Sequence, residues 1–104
     1  MIKHLVFVKF AANTAQETKD EIYRDLGALR SEIDGILDYG HRPNISPEEP
    51  VVHGLRDMFW FDFKDIATRD AYLDNETHKG IGARIGAAAE GGAAGIYVCD
   101  IDLS

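Results

Sequence analysis

The sequence contains a single cysteine, Cys99, which excludes an internal disulfide bond. The cysteine lies in a largely apolar run at residues 96–101, where we expect it to pack as a small hydrophobic side chain. No basic residue adjoins it to stabilise a thiolate, so the sequence does not favour a catalytic thiol.

Long apolar runs and clusters of basic residues are also missing. No stretch approaches the roughly eighteen uncharged apolar residues of a membrane-spanning helix, and no charged leader with an apolar block opens the chain. Eleven Lys and Arg against eighteen Asp and Glu give a formal net charge of −7. Nucleic acid and anionic membranes are therefore poor partners, and a cytoplasmic location is expected.

The chain has the size and the strand and helix signals of one domain, residues 1–104, with 45% hydrophobic residues. Alternation predicts strands at 2–10, 36–45, 58–63 and 95–103. A capping box from Thr14 to Glu17 predicts a helix that starts at Ala15 and ends near Gly35. A second helical region, 64–89, should break near Asp74 and Asn75.

The resulting order is β-α-β-β-α-β, with a loop at Pro47 and Pro50, where backbone donors are missing. This order predicts an α+β, ferredoxin-like antiparallel sheet with both helices on one face. The uncovered face would need a partner, which favours a homodimer in which two sheets form a barrel. The side chains expected on that face are Leu5, Phe7, Phe59, Phe61 and Phe63, and a charge at Phe61 should then disrupt the dimer.

Three segments resemble the stress-responsive dimeric A/B-barrel domain family: residues 2–10, residues 40–47 and residues 72–80. Each segment is a weak signal by itself, but their order and spacing together are specific and cover nearly the whole chain. The resemblance implies the ferredoxin-like fold and a barrel-shaped homodimer, in agreement with the alternation pattern.

The resemblance also implies candidate site residues. A plant polyketide cyclase of this family performs a cofactor-free aldol condensation, and Tyr72, His78, His4 and Asp100 are similar to its polar site residues. The family's frequent His-Pro-x-His segment is replaced here by residues 75–78, Asn-Glu-Thr-His. The glycine-rich residues 86–95 would also form a different pocket wall, so the cyclase substrate is not carried over.

The residues themselves permit acid/base chemistry. In an antiparallel pair of the first and last strands, His4 and Asp100 would be neighbours, and Asp100 would fix the tautomer of His4 and raise its basicity. Tyr72 and His78 are about 600° apart on a regular helix and converge only if the helix breaks between them. His78 would then act as a general base, with Tyr72 donating to an enolate oxygen and no metal or organic cofactor required.

Other interpretations of these residues stay open. The four polar side chains could serve only packing, since buried polar groups usually satisfy each other. A metal site is the less favoured alternative, because its possible ligands have no regular spacing; they are His41, His53, Asp57 and Asp62. Close helix packing is the simplest interpretation of Gly80, Gly82 and Gly86. Arg69–Asp70 and Lys19–Asp20 fit a solvated helix face.

Three functions are compatible with the sequence. The first is a homodimer that binds a hydrophobic, carbonyl-bearing small molecule between sheet and helices, with cofactor-free acid/base chemistry. The second is a non-enzymatic, stress-associated structural protein. The third is a cofactor-free monooxygenase, which is supported by fold analogy alone.

Overall fold

The computed structural model describes all 104 residues and contains one four-stranded antiparallel sheet. The strands are β1 (Ile2–Val8), β2 (Ile36–Pro43), β3 (Asp57–Phe63) and β4 (Ile96–Asp102), arranged β2-β3-β1-β4. The helices are α1 (Gln16–Ala28), α2 (Glu49–Val52), α3 (Ile66–Asp74) and α4 (Glu76–Ala88), with 3₁₀ turns at Leu29–Ser31 and Gly92–Gly95. This α+β architecture is the predicted ferredoxin-like fold.

One face of the sheet carries α1, α3 and α4, and the core lies between them. Val6 is paired with Phe59 and His4 with Phe61, so these four residues share that face. Tyr72 of α3 and Leu26 of α1 complete the same buried cluster. Aromatic rings from strand and helix pack together in this core with a larger number of aliphatic side chains, and each ring buries a large apolar area.

The register corrects the predicted outer face. Phe59, Phe61 and Phe63 are almost fully buried beneath the helices, with 2%, 0% and 0% exposure. Leu5 and Phe7 do lie on the outer face, as predicted, and because Phe7 pairs with Met58 and Leu5 with Trp60, β3 contributes Met58 and Trp60 there instead of its phenylalanines. The prediction failed because a one-residue difference in register moves a whole strand's side chains to the opposite face.

The outer face also includes Cys99, which pairs with Leu5 and is exposed in the protomer. The expectation that Cys99 packs as a small hydrophobic side chain is therefore wrong within a single chain. Tyr97 and Ile101 of β4 lie on the same face and are also exposed. This face is thus apolar but not covered by any element of its own chain.

The helix ends agree only in part with the sequence signals. The predicted capping box is wrong, because α1 begins after Ala15 without a side-chain cap and the Thr14 hydroxyl donates to the Ala88 carbonyl instead. The first helix ends at Ala28, before the predicted end near Gly35, and Gly35 instead adopts a φ of +96° just before β2. The break at Asn75 is confirmed, since α3 ends at Asp74 and α4 begins at Glu76. None of the helices has the length and apolar character that crossing a membrane requires.

Candidate functional site

A cavity of about 170 Å³ lies between the sheet and the helices α3 and α4. Three polar rings, His4, Tyr72 and His78, form part of its wall. The rest of the wall is apolar apart from one glycine; these residues are Val6, Phe59, Leu73, Gly82, Ile85, Ile96 and Val98. The cavity opens toward the edge strand β4, where Val98 remains 59% exposed because no helix covers it.

His4 and Asp100 are direct cross-strand partners, as the topology predicts. His4 Nδ1 lies 2.5 Å from Asp100 Oδ1, and the His4 side chain is 5% exposed. Burial acts to raise the pKa of Asp100, but hydrogen bonds from His4 and Arg69 hold it below its ordinary value. The ionised carboxylate can only accept, so Nδ1 of His4 is the donor in this contact, and in the neutral ring the lone pair is then on Nε2.

Arg69 completes this pair, although its position beside Asp70 predicted a solvated helix face. Its Nη1 donates to Asp100 Oδ2 at 3.0 Å, and its Nε donates to Asp70 Oδ1 at 2.9 Å. The sequence signal was its position three residues before Tyr72, which places both on one side of α3. The contact with Asp100, 31 residues away, depends on how α3 packs over β4.

The break between α3 and α4 brings Tyr72 and His78 together. The Asn75 side chain accepts a hydrogen bond from the His78 backbone N–H at 2.9 Å, which caps α4. The Tyr72 and His78 rings then lie 3.8 Å apart between centroids. The edge-on contact between the Tyr72 and His4 rings, at 5.3 Å, joins all three in one cluster.

Burial sets the protonation states of this cluster. Burial first, and the neighbouring His4 second, lower the pKa of His78 from 6.5 to about 4. Burial raises the pKa of Tyr72 above its ordinary value, so the phenol stays protonated. His78 Nδ1 is the one buried side-chain nitrogen or oxygen atom without a hydrogen-bond partner. At neutral pH, His78 is therefore an uncharged ring and Tyr72 is a proton donor.

The structure thus brings all four predicted residues together, but the possible metal ligands do not converge. No group of three His, Cys, Asp or Glu side chains could hold a metal ion. His41 is stacked on Tyr23 at 4.2 Å and does not line the cavity, and His53 is exposed after α2.

The glycines of α4 do not serve close helix packing, so the interpretation given above for Gly80, Gly82 and Gly86 is wrong. A Cβ atom added at Gly80, Gly82 or Gly86 would meet nothing within 4 Å. Gly82 lies one helical turn beyond His78 and lines the cavity, so its missing side chain leaves space there. The sequence analysis singled out these glycines, but it could not predict the open space beside them.

Comparison with known families gives one match. The family model described as "Stress responsive A/B Barrel Domain" matches residues 2–102. No curated protein matches the sequence.

Solved structures share the fold over nearly the full chain. A dimeric ferredoxin-like protein of unknown function from Jannaschia sp. is 29% identical, with 98% of each chain covered and a TM-score of 0.89. A Dabb family protein from Mesorhizobium loti is 20% identical, with 99% and 97% covered and a TM-score of 0.75. A hydroxynitrile lyase from Passiflora edulis is 17% identical, with 99% and 94% covered and a TM-score of 0.81. The last two likenesses concern the fold alone.

Proposed function

This chain belongs to the stress responsive A/B barrel domain family, and we propose that it binds a small, uncharged carbonyl compound and catalyses proton transfer on it. The observation that carries this proposal is the cavity whose wall contains His4, Tyr72 and His78, with His4 held by Asp100. A polar cluster at the floor of an otherwise apolar cavity is the usual form of a small-molecule site.

The cavity restricts the size and charge of the ligand. A dry protein cavity of about 150 Å³ binds benzene, so the present cavity, at about 170 Å³, suits one ring or a short chain. No charged side chain forms its wall, and burying an unpaired ion there would be costly. We therefore expect an uncharged ligand, with any longer substituent leaving past Val98.

His4 is better suited than His78 to be the general base, which differs from the role that the sequence predicted for His78. His78, with its pKa lowered to about 4, binds protons weakly. His4 has an ionised carboxylate on Nδ1, which leaves Nε2 free to accept and stabilises the imidazolium that forms.

The reaction needs no external reagent. His4 Nε2 removes a proton from the carbon beside the carbonyl, and the C–H electron pair moves into the enolate, whose charge resides on the carbonyl oxygen. The Tyr72 hydroxyl donates a hydrogen bond to that oxygen. The imidazolium then returns the proton to carbon, which restores both the carbonyl compound and the neutral His4 ring. His78, uncharged at neutral pH, forms part of the cavity wall beside Tyr72.

The comparisons support an enzyme and a dimer without identifying a substrate. The fold hosts an enzyme in the passion-fruit neighbour, which is named a hydroxynitrile lyase. The Jannaschia neighbour is described as dimeric, and the apolar outer face of this sheet, at Phe7, Trp60 and Tyr97, supports a homodimer here. In that assembly the outer faces meet and the cavities stay on the helix side.

Deuterium exchange tests the proposed chemistry without knowledge of the natural substrate. Cyclohexanone has one ring and acidic protons beside its carbonyl, and loss of their signal in D₂O is followed by ¹H NMR. We expect wild type to exceed the buffer rate, His4→Asn to fall to that rate, and Tyr72→Phe to lose about 100-fold.

The matched control is His53→Asn, an exposed histidine at a φ of +56°, where asparagine is well tolerated. This variant should keep the wild-type rate. A wild-type rate equal to buffer, or full activity in His4→Asn, would reject the proposed reaction. Signal shifts of cyclohexanone without exchange would reduce the site to a binding function.

A further inference from the structure

We propose that Arg69 is a positioning residue that keeps His4 uncharged and oriented as the base; this inference rests on the function proposed above. The two oxygens of Asp100 are divided between the two partners. Oδ1 is 2.5 Å from His4 Nδ1, and Oδ2 accepts from Arg69 Nη1 at 3.0 Å.

The contacts of both Asp100 oxygens fix the geometry of the His4–Asp100 pair. A carboxylate with one partner can rotate about its terminal torsion, whereas Asp100 is held at both oxygens by groups on two different elements. Arg69 is itself fixed through a second contact, because its Nε donates to Asp70 at 2.9 Å. The planar guanidinium suits this double contact better than a flexible ammonium group would.

The charge of Arg69 matters as much as its geometry. A lone carboxylate beside an imidazole favours the imidazolium form, and a ring that already carries its second proton cannot remove one from a ligand. Arg69 balances the charge of Asp100, so Asp100 orients the His4 ring without holding it as a cation.

The surroundings of His4 add no competing ion. The titratable groups around it are Asp100 from β4, Tyr72 from α3 and His78 from α4, and Arg69 of α3 is connected to it through Asp100. Tyr72 stays protonated and His78 stays uncharged at neutral pH, because burial disfavours their charged forms. The ions connected to the His4 ring by direct contacts are therefore Asp100, Arg69 and, through Arg69 Nε, Asp70.

The experiment follows the His4 ring nitrogens by ¹H–¹⁵N NMR in protein labelled with ¹⁵N-histidine, from about pH 5 to about pH 9. In wild type, we expect Nδ1 protonated and Nε2 unprotonated at neutral pH. In Arg69→Gln, the second proton should bind at a pH higher by roughly one unit, because a cation near the ring is lost. Arg69→Lys, which keeps the charge, should lie close to wild type.

The matched control is Arg84→Gln, which removes an arginine–aspartate contact of 2.7 Å on the surface between α4 and α1. It should leave the His4 signals unchanged. Cyclohexanone exchange should fall about tenfold in Arg69→Gln at neutral pH and recover as the pH rises, since the base is protonated rather than displaced. A thermal melt of each variant verifies folding.

The two proposals fail in different ways. Identical His4 titrations in wild type and Arg69→Gln would overturn the role of Arg69 even if wild type exchanges cyclohexanone. A shifted titration in Arg69→Gln with no exchange in wild type would support the role of Arg69 in setting the charge of His4. That second result would reject the proton-transfer reaction.

Discussion

His78 combines two unfavourable features for a residue that serves only packing. Its Nδ1 is buried without a hydrogen-bond partner, and an unsatisfied buried polar atom costs about 1–3 kcal/mol. Its pKa is lowered to about 4, so the native state resists protonation. The ring forms part of the cavity wall, which fits a residue kept for its place in the site rather than for its contribution to stability.

The lowered pKa of His78 predicts acid sensitivity. The unfolded ring takes up a proton as the pH falls below 6.5, whereas the native ring does so only near pH 4. Stability is therefore complete above pH 6.5 and declines as the pH falls toward 4. After discounting for the solvent-accessible part of the ring, we expect a loss of about 1 kcal/mol between about pH 7 and about pH 5.

Urea unfolding of wild type and His78→Gln at these two pH values measures this loss. The variant should lose less stability than wild type over the interval, because glutamine does not titrate. Equal losses in the two proteins would show that other groups cause the acid sensitivity. His53→Asn, which removes an exposed histidine, should behave like wild type.

At the scale of elements, the site depends on the interruption between α3 and α4. One residue, Asn75, ends the first helix and caps the second, so that Tyr72 and His78 face each other instead of diverging. Because Asn75 alone separates the two helices, the geometry of its cap determines where the His78 ring lies in the cavity wall. A change in the cap should therefore affect both stability and binding.

Asn75→Ala should destabilise the fold by about 1 kcal/mol through loss of the cap and should also weaken ligand binding. Asp65→Ala is the matched control, because Asp65 caps α3 by accepting from the Thr68 backbone N–H, away from the cavity wall. It should cost similar stability while ligand affinity is kept. Urea unfolding and NMR titration with cyclohexanone measure the two effects, and equal affinity losses would contradict this role of Asn75.

Gly82 sets the free space in the cavity. Glycine inside a helix costs roughly 0.5–1 kcal/mol relative to alanine, and here a side chain would project into space rather than into a neighbour. Gly82→Leu should therefore retain or raise the melting temperature while abolishing ligand binding.

Gly80→Leu is the control for Gly82, since both glycines lie in α4 and a Cβ atom added at either would have open space around it, but Gly80 does not line the cavity. It should have a comparable melting temperature and bind normally. Thermal melts and NMR titration with cyclohexanone distinguish the two variants. Normal ligand binding by Gly82→Leu would show that the ligand lies elsewhere.

At the scale of the whole molecule, the two faces of the sheet have different roles. The helix face contains the core and the cavity, whereas the outer face exposes apolar side chains that a second copy would cover. The corrected register changes which residue tests the dimer. Phe61 is fully buried in the protomer, so a charge there should unfold the chain instead of dissociating it.

Tyr97→Glu should convert the proposed dimer into a folded monomer, because Tyr97 is 55% exposed in the protomer and shares the outer face with Phe7. Light scattering after size-exclusion chromatography measures the mass. Ala87→Glu, on the exposed side of α4, should stay dimeric. A dimeric Tyr97→Glu protein would place the interface elsewhere.

Local sequence patterns were sufficient to predict the four strands, the helices between them and the ferredoxin-like order, but not the short helix α2 in the segment predicted as a loop. Alternation and helical spacing are local properties. Asparagine favours helix caps over helix interiors in any protein, so the break at Asn75 in the second helical region was predictable. The neighbours His4 and Asp100 followed from the topology, since the last strand lies antiparallel to the first. The cytoplasmic location stays a prediction from composition.

Tertiary packing was required to establish which strand faces meet, what Arg69 contacts and where space remains. The burial of Phe61 depends on a register that no local pattern fixes, because each face of β3 is apolar. The Thr14 hydroxyl donates to the Ala88 carbonyl instead of capping α1, and Arg69 donates to Asp100. Both contacts join segments that are distant in sequence and meet only in the packed structure. The space beside Gly82 is likewise a property of the packed elements, since a cavity exists only where neighbouring side chains fail to meet.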